Sequence, residues 1–161
     1  MRSGDNKLKV LDLRGSEHEY LHKDFHGALC YAIRYLDEKF GLEATDEYLR
    51  QVGRNNYKPL IAALKAEGLI ALERHWRTIL GQEGRKFRMS REGDELVLFV
   101  DACPAIEHMK KTGQTVTKRY CQTTVSVNEA ICEAAGFKSS CEYEPGEGRC
   151  VQRFRKAEVQ A

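Results

Sequence analysis

The sequence predicts an α+β protein of one domain, a helical N-terminal half followed by a β-β-α-α-β-β segment that builds an antiparallel sheet. Two observations carry this expectation. Apolar residues recur at three-and-four spacing between residues 16 and 80, the period of amphipathic helices. After Gly81 the period changes to alternation, and the turn sequences "REGD" and "PGEG" each separate two alternating runs. The chain of 161 residues suits one domain with a substantial core. Residues 1–15 read as an N-terminal arm, 16–157 as the domain and 158–161 as a C-terminal tail.

The elements follow in order. Ser16 is a candidate N-cap, and Glu17 and Glu19 suit the positive end of a helix. That helix is predicted to reach Phe40 and stop at Gly41, with Leu21, Phe25, Leu29, Ile33 and Leu36 on one stripe. A second helix starts near Thr45 or Asp46. "NNYKPL" breaks it, because Pro59 pushes the preceding residue away from helical angles. Residues 59–67 and 69–80 read as two short helices divided by Gly68, with Trp76 packed among Leu72, Ile79 and Leu80. "KFRMS" and "ELVLFVDA" make the first hairpin. Pro104 opens the helix "PAIEHMKK", which Gly113 ends. "KRYCQTTVSVNEAICEAAG" reads as a longer helix stopped by Gly136, and "SSCEYE" with "RCVQRF" forms the closing hairpin. With "PGEG" as its loop, Cys141 opposes Gln152 and Tyr143 opposes Cys150, which puts both cysteines on one face.

Composition narrows the function. Hydrophobic residues make up 42% and charged residues 31%, ordinary values for a soluble domain. No apolar run approaches the ~18 residues that span a bilayer. "MRSGDNKLKVLDLRG" carries charges where a signal peptide needs an apolar core, so a cytoplasmic protein without membrane contact is expected. A net charge of +2 is too small to argue for nucleic acid, and the basic "RFRK" suits a solvated strand end. The expected partner is a small-molecule ligand or substrate, and a homo-oligomer is compatible with the composition. Five of the six cysteines lie beyond residue 100. In a reducing compartment they point to thiols, metal ligands or packing before disulfides.

"HEYLHKDFH" contains His-Glu-x-x-His, the zinc signature of many metalloproteases. On a helix His18 and His22 project from one face, where they can grip zinc while Glu19 polarises a water. His26 cannot complete the set, because eight helical residues rise about 12 Å. A third ligand would come from His75, His108 or a remote acid. Two readings compete with zinc binding: an amphipathic helix with histidines at its solvent or cleft edge, and a single catalytic or ligand-positioning histidine, for which His26 is the best candidate. Gly27 and Ala28 beside it allow close approach of another element, and Asp24 stands ready to orient its ring.

No Cys-x-x-Cys pair occurs, which disfavours zinc ribbons and thioredoxin-like chemistry. Cys103 ends a strand before Pro104, at the expected N-cap of a helix. A thiol there feels the positive helix end, which favours thiolate, and the free backbone donors suit a carboxylate or an oxyanion. Cys121 follows Lys118, Arg119 and Tyr120, so positive neighbours are expected to support a thiolate or an anionic ligand. Glu129 and Cys132, three apart on a helix, are candidates to join Cys141 around zinc. Cys30 lies on an apolar helix face and reads as core.

"DACPAIEHMKKTG", "RYCQTT" and "GEGRCVQRF" resemble the L-2-amino-thiazoline-4-carboxylic acid hydrolase-like proteins, as does the helical stretch around "DFHGALCYAIRYL". The family pattern often places an acid three residues after the second cysteine, where this chain has Thr124. The resemblance implies hydrolytic ring-opening of a small carboxylated sulfur- and nitrogen-containing heterocycle. Cys103 would then be nucleophile or anchor, His26 general base or acid, Cys121 a supporting thiol, and Arg119 with Tyr120 the substrate-binding pair. "NEAICEAAGFKSSCEY" is similar to the end of 4-vinyl-reductase-type ligand-binding domains. That resemblance implies a non-catalytic, zinc-supported small-molecule sensor, with Glu129, Cys132 and Cys141 as ligands and Cys121 as the fourth.

Overall fold

The computed structural model describes residues 23–82 and 87–158. In chain order these form α1 (Lys23–Phe40), α2 (Leu42–Asn56), α3 (Lys58–Glu67), α4 (Leu69–Gln82), β1 (Phe87–Glu92), β2 (Glu95–Val100), α5 (Pro104–Lys111), α6 (Gln122–Ala135), β3 (Phe137–Tyr143) and β4 (Cys150–Lys156). The fold is α+β in a single domain, helices first and then the β-β-α-α-β-β succession. The arm, Ser16, His18 and His22 lie outside the described residues.

Two predicted boundaries move. α2 begins at Leu42, not near Thr45, because Gly41 takes φ +87 and turns the chain directly into a new helix. Thr45 is instead a buried first-turn residue whose Oγ1 donates to Gly41 O at 3.3 Å. α6 begins at Gln122, so residues 118–121 lie before the long helix rather than in it. Those residues form successive tight turns, Tyr120 N–H to Thr117 O at 3.0 Å and Gln122 N–H to Arg119 O at 2.8 Å. Neighbouring side chains there engage different elements, Arg119 with Asp37 of α1 and Asp46 of α2, Tyr120 with His26 of α1 and with the cluster of α1 and α5.

The sheet has the order β1-β2-β4-β3, antiparallel throughout. β4 lies between β2 and β3, and its pairing with β3 sets Cys141 opposite Gln152 and Tyr143 opposite Cys150, the predicted register. On the inner face Leu96 and Leu98 oppose Phe154 and Gln152. Leu96, Leu98 and Phe154 pack with Leu49, Leu64, Leu72, Ile131 and Cys132 of the helices into the main core. Burying each large apolar side chain contributes roughly 1.5–3 kcal/mol. The outer face is charged, with Arg153 bridging to Glu95 at 3.0 Å.

α2 and α6 cross closely at Gly53, where a Cβ would stand 2.8 Å from Val127 O and 2.9 Å from the Ala130 Cβ. Only glycine permits that approach. A second cluster joins Cys30 and Ile33 of α1 to Ala105, Ile106 and Met109 of α5 and to Tyr120. Cys103 packs against both clusters, at the seam where they meet. Among the described residues no helix is long and apolar enough to cross a membrane.

Candidate functional site

A cavity of about 310 Å³ opens at that seam. Leu29 of α1, Trp76, Ile79 and Leu80 of α4, and Val100 of β2 give it mostly apolar walls. Into it the fold brings His26, Cys103, Tyr120, Cys121, Cys141 and Cys150. These six come from α1, the start of α5, the turn before α6 and both arms of the last hairpin. All six cysteines of the chain are free thiols.

Each chemical group has a local cause. Cys103 is the N-cap of α5, as its place before Pro104 predicts, and its side chain makes no capping hydrogen bond. Its backbone N–H donates to Gly148 O at 2.6 Å. Gly148 itself has φ +73, which suits glycine. His26 Nδ1 and the buried Tyr120 hydroxyl share a hydrogen bond of 2.8 Å, which fixes both rings at the cavity. Beside His26, Gly27 leaves room for the Gln114 side chain, the close approach its small size allows. The Trp76 Nε1 and Thr123 Oγ1 atoms of lining residues are buried without a hydrogen-bond partner among the described residues.

The thiols differ sharply. Cys121 is pushed up to about 12, first by burial and then by the neighbouring Cys103 and Cys150. Burial and the neighbouring thiols thus act against the thiolate expected from Lys118 and Arg119. Cys150 is lowered, to about 7, because the Cys141 thiol and the Gln152 amide both hydrogen-bond to its sulfur and outweigh the cost of burial. Cys141 is raised as the protonated donor of that pair and by burial. Gln152 Nε2 stands 3.3 Å from Cys150 Sγ. The same amide accepts at Oε1 from Asn128 Nδ2 at 2.9 Å, which holds its N–H side toward the sulfur.

Arg119, the expected carboxylate partner, is not at the cavity. Its guanidinium bonds Asp37 at 3.0 Å and Asp46 at 2.7 Å, tying α1 and α2 to the turn before α6. Tyr120, the other expected binding residue, does line the cavity.

The zinc set does not assemble. Glu129 pairs with Arg50 at 3.1 Å on the α2–α6 interface. Cys132 is fully buried in the main core and pushed up to about 12 by burial. Cys141 lines the cavity beside Cys150. Cys121 sits at the N-cap of α6, eleven residues before Cys132, a rise of about 16 Å. Among the described residues no group of three or more histidine, cysteine, aspartate or glutamate side chains is arranged to hold a metal ion. His18 and His22 lie outside them. Cys30 is core, as expected, and accepts from the Thr117 N–H at 3.2 Å.

Sequence reasoning placed Cys150 on the correct sheet face but gave it no role, and it passed over Gln152. The signal was present in the register, since residues 150 and 152 point to the face that carries Cys141. That Gln152 is buried and oriented by Asn128 of α6 has no local signature.

No family model matches the sequence, and no curated protein matches it. Among solved structures, the chain is similar to the crystal structure of a trafficking protein particle complex subunit 3 from Naegleria fowleri covalently bound to palmitic acid. The match has a TM-score of 0.50 and 16% identity, and covers 86% of this chain and 95% of that one. At this identity the likeness is one of fold.

Proposed function

We propose that this chain binds a small molecule with an apolar body in the cavity between its two core clusters. The observation that carries the reading is the convergence of thiols, an imidazole and a phenol within mostly apolar walls. The fold neighbour named above carries palmitic acid covalently, and an apolar ligand here would make comparable use of the scaffold. A reducing compartment such as the cytoplasm suits the six free thiols. The zinc-supported form of this reading is set aside, because its ligand residues do not meet.

The test is titration of the full chain with Nile red, whose emission shifts to the blue on entering an apolar site. Saturable binding is expected, weakened about tenfold by Thr124→Phe, which adds bulk at the cavity wall. Unchanged binding in that variant would place the dye elsewhere and overturn the proposal.

A second reading is hydrolysis of a small carboxylated sulfur- and nitrogen-containing heterocycle. It is favoured by one observation, that His26, Cys103 and Cys121 all line the same cavity. The imidazole would activate water or a thiol for attack on the amidine-like carbon. Against it stand the engagement of Arg119 by two aspartates and the protonated state of Cys121. Incubation with 2-amino-thiazoline-carboxylate and measurement of ring-opened product decides it; no product above the His26→Ala variant would end this reading.

A further inference from the structure

The geometry points to Cys150 as a nucleophile that captures uncharged α,β-unsaturated carbonyl compounds in the cavity as covalent thioethers. The inference rests on the binding reading above and adds the reactive atom and the chemical class of the ligand. Its basis is a built sulfur site. Cys150 Sγ receives the Gln152 amide at 3.3 Å, and that amide is itself oriented by Asn128 at 2.9 Å within the buried face of the sheet. The Cys141 thiol stands beside it on the same sheet face and lowers its pKa further. An oriented amide donor aimed at the sulfur favours its anionic form, the form that attacks carbon.

The surroundings select the electrophile. The titratable and charged groups around Cys150 are Cys141, Glu142 and Tyr143 from β3, Glu144 and Arg149 in the loop before β4, Arg88 of β1, Asp101 after β2, Cys103 before α5, Tyr120 and Cys121 before α6, Tyr57 between α2 and α3, and His26 from α1. The two guanidinium cations of this set are exposed and engaged, Arg149 by Glu144 at 3.2 Å and Arg88 by Asp101 at 3.5 Å. An anionic ligand or an anionic leaving group therefore has no buried cation to meet. The Cys103 N–H, which would otherwise steady an oxyanion, already donates to Gly148 O. Conjugate addition suits such a site because nothing is expelled. The Cys150 sulfur lone pair forms the C–S bond to the β-carbon, the C=C π pair moves to the α-carbon and carbonyl, and solvent supplies the proton that completes the saturated ketone. No oxidant or co-reactant enters.

The test treats the full chain with benzylideneacetone, an uncharged apolar enone, and follows adducts by intact mass and peptide mapping across pH. One adduct per chain is expected, on Cys150. Its rate should rise about tenfold per pH unit below neutrality and level off above about 7, as the thiolate fraction saturates. Cys150→Ser should abolish the adduct. Gln152→Leu should keep the adduct on Cys150 but slow it about tenfold at pH 7 and move the inflection upward, a change that loss of packing alone does not produce. Adducts spread over Cys103, Cys121 or Cys141, or an unchanged rate in Cys150→Ser, would overturn the inference. Benzylacetone, the saturated counterpart, separates the two claims by competition with Nile red. Competition without a Cys150 adduct from the enone leaves the binding reading standing and removes this one. No competition and no adduct removes both.

Discussion

Cys121 and Cys150 border the same cavity and behave as opposite acids. Cys121 stands at the N-cap of α6 with two basic residues just before it in sequence, a setting that should favour thiolate. Cys150 lies on a strand, where no helix end assists it. Yet Cys121 is pushed up to about 12 and Cys150 is lowered. The difference lies in where hydrogen-bond donors point. Arg119 turns away to Asp37 and Asp46, so Cys121 keeps its burial penalty without compensation. Cys150 also carries a burial penalty but receives the Gln152 amide and lies beside the Cys141 thiol. Proximity in sequence to positive charge decides little when the charge is spent elsewhere.

This contrast can be broken most forcefully by labelling. With iodoacetamide at pH 7, Cys150 should react about a hundredfold faster than Cys121, read by peptide mapping. Equal labelling would mean the donors do not act on the sulfur as described. A smaller effect is expected from Asn128→Ala, which frees the Gln152 amide to rotate. Labelling of Cys150 should slow by a factor of about three, less than in Gln152→Leu, and a null result would show that Gln152 is held without Asn128.

Arg119→Ala sharpens the other side of the comparison. It should cost about 1 kcal/mol in urea unfolding, since its two ion pairs are only partly shielded from solvent. Nile red binding should persist; its loss would restore Arg119 to the site. The smallest effect concerns His75, which packs between Tyr57 and Trp76 behind the cavity wall. Burial lowers its folded-state pKa below the ordinary 6.5. Between those two values the unfolded chain binds more protons, so stability rises with pH and is lost as pH falls below about 6.5. His75→Leu should flatten that part of the stability curve, measured by urea melts at stepped pH. An unaltered slope would assign the acid loss to other groups.

The reach of the sequence is visible in particular elements. The period change at Gly81 and the loop lengths of "REGD" and "PGEG" are local features, and they yielded both hairpins and the pairing of Cys141 with Gln152. Pro104 marked the start of α5 and Cys103 as its N-cap. The start of α6 differs from the expectation because residues 118–121 carry ordinary helix formers yet form turns, a choice with no local signature.

The sequence by itself determined the α+β class, the order of elements, the faces of the strands and the candidacy of His26, Cys103 and Tyr120. Periodicity, caps and turn lengths act over a few residues, so they are written locally. Only the tertiary structure decided that β4 enters between β2 and β3, that Cys103, Cys121, Cys141 and Cys150 border one cavity, and that Glu129 and Cys132 stand apart from it. It also decided which thiol is acidic. Acidity depends on burial and on the direction of a few donors, and those are fixed by residues as distant in the chain as Asn128 and Gln152.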